Sequence, residues 1–307
     1  MTPTADRTSL SDALRQRILI MDGASGTQLR AQGIYEPDCG LAVSRPEVIA
    51  DLHRRYLEAG ADIIRTSTFR AGAEALRSSD PERFLRTAIA AACSIARSEA
   101  TRCGRHIFIA GCLGPISSSS ALADNIRPTL KDISEIFALQ YEAFANEHVD
   151  LIAIETAYEA ADTEAALEGI RLAMGKTGTN LPVMLSITPV GDSAEAQHKQ
   201  IDRLSAIAEK YRIPIVGLNC GSDPATLARQ ISHLPSHKAI AFYPSCGLPD
   251  SDGHYDLTPA QFTAIVESLM SAGSVNIVGG CCGTTPEHIR QLASATRHFS
   301  PHHFTSL

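Results

Sequence analysis

Three cysteines stand where two predicted strands end. Cys220 closes the run IVGLNC, and the adjacent pair Cys281 and Cys282 lies between glycines in VGGCCG. A cluster of thiolates suits a borderline-soft ion such as Zn²⁺, which favours tetrahedral coordination by sulfur. Because three protein ligands leave the fourth position open, we predict a catalytic rather than a structural zinc site.

The cysteine pair needs an unusual backbone. Neighbouring side chains on a regular strand point to opposite faces, so both sulfurs reach one ion only if the chain leaves the strand there. Gly279, Gly280 and Gly283 permit that turn. The pair by itself fits a redox or vicinal-disulfide role about as well as a metal site. Cys220 in the matching position favours the metal.

The other cysteines have a simpler interpretation. Eight cysteines in a chain of this kind are more typical of free, catalytic or metal-binding thiols than of a disulfide framework. Cys39, Cys93, Cys103 and Cys112 are interpreted as small buried apolar residues. Cys246 falls in a loop beside the predicted site, and its role stays open.

Eight short apolar runs predict the strands that position these residues. They begin at Ile18, Ile63, Ile107, Leu151, Val183, Ile215, Ala239 and Asn276. They lie roughly 25 to 45 residues apart, which leaves room for a crossover helix in each interval. One interval, PEVIADLHRRYLEAG, has apolar residues at helical spacing and a closing glycine.

These units predict an α/β fold, a (β/α)8 TIM barrel, as a single domain over residues 1–307 with a core of about 15–298 and short flexible tails. The serine run 117–120 predicts a mobile loop. A doubly wound open sheet is the alternative, and MDGASGTQLR is its nearest approach to a nucleotide fingerprint. That segment lacks the GxGxxG order and the GK[ST] ending.

In such a barrel the working residues follow the carboxyl ends of the strands. Asp22 and Glu155 occupy such positions and suit a substrate ammonium, while backbone N–H groups at Gly23 suit a carboxylate. Thr66 and Asn219 complete the predicted substrate-binding set. Turn formation by Asp22 and a salt bridge within the rim for Glu155 are the structural alternatives.

Composition excludes several classes of function. The net charge of -7 and the pI of about 5.9, without a cluster of Lys and Arg, exclude a nucleic-acid surface. No run has the length of a membrane span, and MTPTADRTSLSDALRQR lacks the apolar segment of a signal peptide. We expect a cytoplasmic protein with no membrane partner.

Seven stretches carry a resemblance to a known family: MDGASGTQLR, ADIIRTSTF, GCLGP, DLIAIET, GLNCG, YPSCGLPD and IVGGCCGTTPEHI. They are similar to the zinc-dependent homocysteine S-methyltransferases, over nearly the whole chain. YPSCGLP followed by DSDGHYDLTPAQF most resembles the homocysteine-binding module of cobalamin-dependent methionine synthase.

The resemblance implies a TIM-barrel methyltransferase of methionine biosynthesis. Zn²⁺ would be held by Cys220, Cys281 and Cys282, and homocysteine would accept the methyl group through a zinc-bound thiolate. The resemblance also assigns Asp22 and Glu155 to the amino-acid end of the substrate.

The sequence departs from that pattern at three positions. Ser245 and Ser67 stand where the module leads us to expect Asn, which leaves open what completes the zinc shell without substrate. Arg65 in IIRTSTF is unusual so near the site. It meets either an anionic group or an acidic neighbour on the rim, and we favour the neighbour.

Three hypotheses remain for the function. The first is a self-contained methyltransferase using a small onium donor such as S-methylmethionine or S-adenosylmethionine. Betaine is disfavoured because aromatic residues are only 5% and Trp is absent. The second is a stand-alone module that receives the methyl group from a methyl-corrinoid protein. The third, a non-catalytic zinc-binding protein, fits poorly with an open metal position and rim carboxylates.

Overall fold

Eight parallel strands form a barrel in this computed structural model, which describes residues 8–117, 126–221 and 223–305. The strands are β1 (Leu19–Ile20), β2 (Ile63–Arg65), β3 (Phe108–Leu113), β4 (Leu151–Ala157), β5 (Val183–Ile187), β6 (Ile215–Cys220), β7 (Ala239–Pro244) and β8 (Ile277–Val278). Their order is β1-β8-β7-β6-β5-β4-β3-β2. All eight predicted strands are confirmed.

The barrel closes between β1 and β2. Met21 forms a parallel bridge with Ile63, Asp22 N donates to Ile63 O at 3.0 Å, and Asp62 N donates to Ile20 O at 2.7 Å. The predicted TIM barrel is therefore confirmed, and the doubly wound open sheet is wrong. Since all strands run in parallel, their carboxyl ends form one mouth.

Helices surround the barrel. They are α1 (Leu10–Gln16), α2 (Gly26–Arg30), α3 (Asp38–Ser44), α4 (Pro46–Glu58), α5 (Ala71–Ala75), α6 (Pro81–Cys103), α7 (Leu130–Asn146), α8 (Ala160–Thr177), α9 (Ala194–Lys210), α10 (Pro224–Arg229), α11 (Pro259–Ser271) and α12 (Pro286–Ala295). The predicted helix in PEVIADLHRRYLEAG is α4: it begins at a proline and buries Ile49, Leu52 and Tyr56. Among the described residues, no helix has the length and apolarity needed to cross a bilayer.

Residues near the first and last described positions fill the opposite end of the barrel. Leu10 and Leu14 of α1 pack with Phe304 against the barrel interior, and Arg15 Cζ lies 4.4 Å from the centre of the Phe304 ring. Apolar side chains outside the predicted core of about 15–298, such as Leu10 and Phe304, are thus also buried, and the domain bounds stay a prediction. The remaining tail residues, 1–7 and 306–307, and most of the serine run, 118–120, lie outside the described residues.

Candidate metal centre and substrate site

The barrel brings the three predicted cysteines together. The Sγ atoms of Cys220, Cys281 and Cys282 all lie within 4.8 Å of one another, and no other such group of potential ligands occurs in the part of the chain that the structure describes. Tetrahedral zinc with Zn–S bonds of about 2.3 Å requires sulfurs about 3.8 Å apart. The cluster therefore fits zinc with one position open to a ligand.

Strand β7 holds this cluster because it lies between the strands that carry the cysteines. Three backbone hydrogen bonds run from its end: Cys281 N to Pro244 O at 2.8 Å, Cys246 N to Cys282 O at 2.9 Å and Ser245 N to Cys220 O at 3.1 Å. The side chain of Cys246 is buried. Cys246 thus supports the site through its backbone.

The backbone around the cysteines departs from regular strand geometry. Cys220 has a φ of 60°, and Gly283 has a φ of 81°. A side chain at Gly283 would place its Cβ 2.3 Å from the Tyr255 ring, and one at Gly280 would lie 2.4 Å from Thr284 Oγ1. Gly283 therefore supplies the predicted turn, while Gly280 supplies space rather than a left-handed conformation.

The three thiols titrate together. Hydrogen bonds from Cys281 and Cys282 lower the pKa of Cys220, and the same contact with Cys220 raises the pKa of both partners. Ser245 Oγ also donates to Cys220 Sγ at 3.4 Å. The cluster is thus built around an anionic sulfur, the form in which cysteine binds metals.

Tyr255 is a site residue that the sequence analysis missed. Burial raises its pKa, and the neighbouring Cys282 sulfur, with which it shares a hydrogen bond, raises it further. Its ring covers Gly283. The residue lies in DSDGHYDLTPAQF, which was singled out only for its resemblance to methionine synthase. That resemblance was the signal that could have identified it.

Arg65 joins the two predicted substrate carboxylates. Its Nε donates to Asp22 Oδ1 at 2.6 Å, and its Nη1 donates to Glu155 Oε1 at 3.1 Å and Oε2 at 3.2 Å. Burial lowers the pKa of Arg65, but Glu155 and Asp22 outweigh burial and raise it, so the guanidinium is charged. The preferred interpretation of Arg65, an acidic neighbour on the rim, is confirmed.

Two other predicted substrate-binding residues, Thr66 and Gly23, contact neighbouring parts of the protein. Thr66 Oγ1 accepts from Cys112 N at 3.0 Å and lies 2.7 Å from Thr68 Oγ1. Gly23 has no room for a side chain, since a Cβ would lie 2.7 Å from Thr284 Oγ1. Gly23 and Asp22 thus lie beside the cysteine loop, whereas the Thr66 hydroxyl is hydrogen-bonded to the backbone of β3.

Asn219 ties β4 to the first cysteine. Its Oδ1 accepts from Thr156 N at 3.2 Å and Ser186 Oγ at 2.7 Å, and its Nδ2 donates to Thr156 Oγ1 at 3.0 Å. Thr156 has a φ of 62°, so this amide holds a strained residue next to Glu155. Asn219 is fully buried, so these hydrogen bonds indicate a positioning role for its amide, and substrate binding by Asn219 stays a prediction.

We expect Asn219→Ala to weaken zinc binding by about 10-fold or more, as for residues that orient metal ligands. The physical reason is that Cys220, the next residue, loses the amide that fixes its strand end. Competition with a chelator measures the affinity, and Asn180→Ala, at an exposed position, is the control. Unchanged affinity in Asn219→Ala would rule out this positioning role.

Comparison with known proteins identifies the family. Residues 19–296 match the family model described as homocysteine S-methyltransferase. The chain belongs to the homocysteine S-methyltransferase family. The resemblance drawn from the sequence and the predicted enzyme class are confirmed.

Two curated relatives are methionine synthases. This chain is 31% identical to the methionine synthase of Mycobacterium tuberculosis and 30% identical to that of Mycobacterium leprae. Each alignment covers 94% of this chain and 25% of the relative. The chain therefore spans about a quarter of the length of the curated relatives it matches.

A solved structure shows the same fold. The homocysteine methyltransferase MmuM from Escherichia coli, in its metallated form, superposes with a TM-score of 0.70 at 22% identity. The match covers 91% of this chain and 96% of MmuM. Its oxidized form gives a TM-score of 0.71 at 22% identity.

Proposed function

We propose that this chain transfers a methyl group to the thiol of homocysteine, giving methionine, at a zinc ion held by Cys220, Cys281 and Cys282. The observation that carries the proposal is the convergence of three sulfurs within 4.8 Å at the mouth of a barrel of this family. Among the described residues, no fourth His, Cys, Asp or Glu joins the cluster to complete a closed four-ligand shell.

The reaction follows from the charge of the site. A bound zinc ion supplies an open position at which an incoming thiol has a lowered pKa. The thiol proton leaves to solvent, the acceptor sulfur forms a bond to the methyl carbon, and the donor departs with the electron pair of the broken bond. Strand β7 fixes the three cysteines, and a hydrogen bond from Gly280 N to Asp22 O at 3.2 Å holds the residue after β1 next to the cysteine loop.

A small sulfonium compound, such as S-methylmethionine or S-adenosylmethionine, is the proposed donor. A narrow cleft beside Glu155 carries Glu159 and Asp162 in its lining, and carboxylates favour a cation. The cleft has a free volume of about 30 Å³, which holds one or two water molecules. The donor would bind across the mouth, with its positive charge facing the carboxylates of this cleft.

A second donor, a methyl-corrinoid protein, is favoured by two observations. The chain aligns with a quarter of a methionine synthase, and large apolar side chains are exposed on three connections around the mouth. Tyr35 is 75% exposed, Leu248 65% and Val190 49%. Exposed apolar residues around one opening are typical of a surface that meets another protein.

A donor screen tests these alternatives on reduced, zinc-loaded protein. Methionine formed from homocysteine is measured with S-methylmethionine, S-adenosylmethionine, betaine and methylcobalamin in parallel. We expect turnover with a sulfonium donor and none with betaine. Turnover with methylcobalamin, and with none of the other three compounds, would favour the corrinoid donor over the sulfonium donor. Tight zinc binding without turnover on any of these donors, or on a methylated corrinoid protein, would overturn the proposed methyl transfer and leave a zinc-binding protein.

A further inference from the structure

Arg65 fills the space between the two carboxylates of the rim. Its guanidinium is buried, and all three of its nitrogens donate hydrogen bonds. Besides its contacts with Asp22 Oδ1 and Glu155, Nη2 donates to the backbone oxygens of Gly23 at 2.8 Å, Gly280 at 3.0 Å and Asp22 at 3.2 Å. The side chain thus links β1, β4 and the loop that carries two of the cysteines.

This arrangement changes what the carboxylates can bind. An ammonium that bridged Asp22 and Glu155 would have to occupy the position that Nε and Nη1 already hold. An ammonium has three donors, whereas the guanidinium has five in a planar fork, so it cannot replace all of these contacts. Displacement would also leave the Gly280 carbonyl without its Arg65 donor.

The charge of the cluster leads to the same result. Arg65 places a positive charge between the two carboxylates, which offsets part of their attraction for another cation. The Arg65 donors are all engaged, so the guanidinium is not available to a substrate carboxylate either. Arg65 therefore acts by occupying and neutralising this part of the site.

We propose that Arg65 determines acceptor specificity, and that the site accepts thiols lacking the α-amino group about as well as homocysteine. The ligand class is the ω-sulfanyl carboxylates, of which 4-sulfanylbutanoate is homocysteine without its amine. This inference rests on the proposed function, since it concerns the acceptor of the same reaction.

Calorimetric titration of zinc-loaded wild-type protein with the two thiols tests the inference without a methyl donor. Each Kd is referred to the thiolate form, which removes the difference in the pKa of the free thiols. We expect the two Kd values to agree within about threefold. Homocysteine binding more than about tenfold tighter would overturn the role of Arg65, because that is the effect of a lost charged hydrogen bond.

Replacing Arg65 should restore a preference for the thiol that carries the amine. Arg65→Gln leaves two neighbouring carboxylates without a cation, so an ammonium becomes favourable there. We expect the preference for homocysteine to rise by about tenfold or more. Arg17→Gln is the control, since Arg17 pairs with Asp62 at 2.6 Å away from the mouth and its loss leaves the ratio unchanged.

The outcomes separate this inference from the proposed function. Binding of homocysteine alone, followed by methyl transfer, would overturn the inference and leave the proposed function intact. Binding of neither thiol by protein that retains zinc would overturn the proposed function. If Arg65→Gln does not fold, the wild-type Kd ratio still decides.

Discussion

Cys281→Ala is expected to abolish the proposed zinc binding and, with it, the proposed methyl transfer to homocysteine. The remaining two sulfurs cannot hold a tetrahedral ion that already leaves one position to substrate. We expect zinc affinity to fall by more than about 100-fold, the upper limit for changes outside the ligand shell. Cys220→Ala and Cys282→Ala should behave alike, because the three Sγ atoms form one cluster.

Metal analysis after dialysis and methionine production with the active donor measure these effects. Cys93→Ala is the matched control, since this cysteine is fully buried in α6 and outside the cluster. It should retain zinc and activity. Full activity in any one of the three cluster variants would rule out a three-cysteine site.

Gly169→Ala should destabilise the fold by about 3 kcal/mol, the upper end of what overpacking costs. A Cβ at this position of α8 would lie 2.0 Å from the backbone oxygen of Ser134 in α7. A backbone atom cannot rotate aside, so the two helices would have to separate. Urea unfolding measures the change in the free energy of unfolding.

The same helix offers a control for Gly169→Ala. Gly175 has open space around its Cβ position and lies within α8. Gly175→Ala should therefore stabilise the protein by about 0.5–1 kcal/mol through the better helix propensity of alanine. Equal effects of the two substitutions would show that the contact with Ser134 does not control the packing of α7 on α8.

Local patterns were sufficient for the strands and for the cysteine cluster. Each strand is a short apolar run, and each cysteine of the cluster lies at or just after the end of one. The strands and the candidate ligands could therefore be predicted from residues close together in the sequence. The start of α12 is equally local in origin, since Thr285 is the N-cap and Pro286 the first helical residue.

Contacts between residues far apart in the sequence could not be predicted from local patterns. Arg65 meets Asp22 across 43 positions and Glu155 across 90, and only closure of the barrel shows that one guanidinium reaches both. Asn219 was assigned to substrate because polar residues at strand ends line the site. The sequence could not show that Thr156 and Ser186 already use its amide.

The packing of α1 against Phe304 has a consequence for engineering. Arg15 Nη1 donates to Phe304 O at 3.0 Å, so these two residues are neighbours at the end of the barrel away from the cysteines. A fluorophore or a surface tether attached to an exposed residue of α1, such as Asp12, would leave the mouth open to solvent.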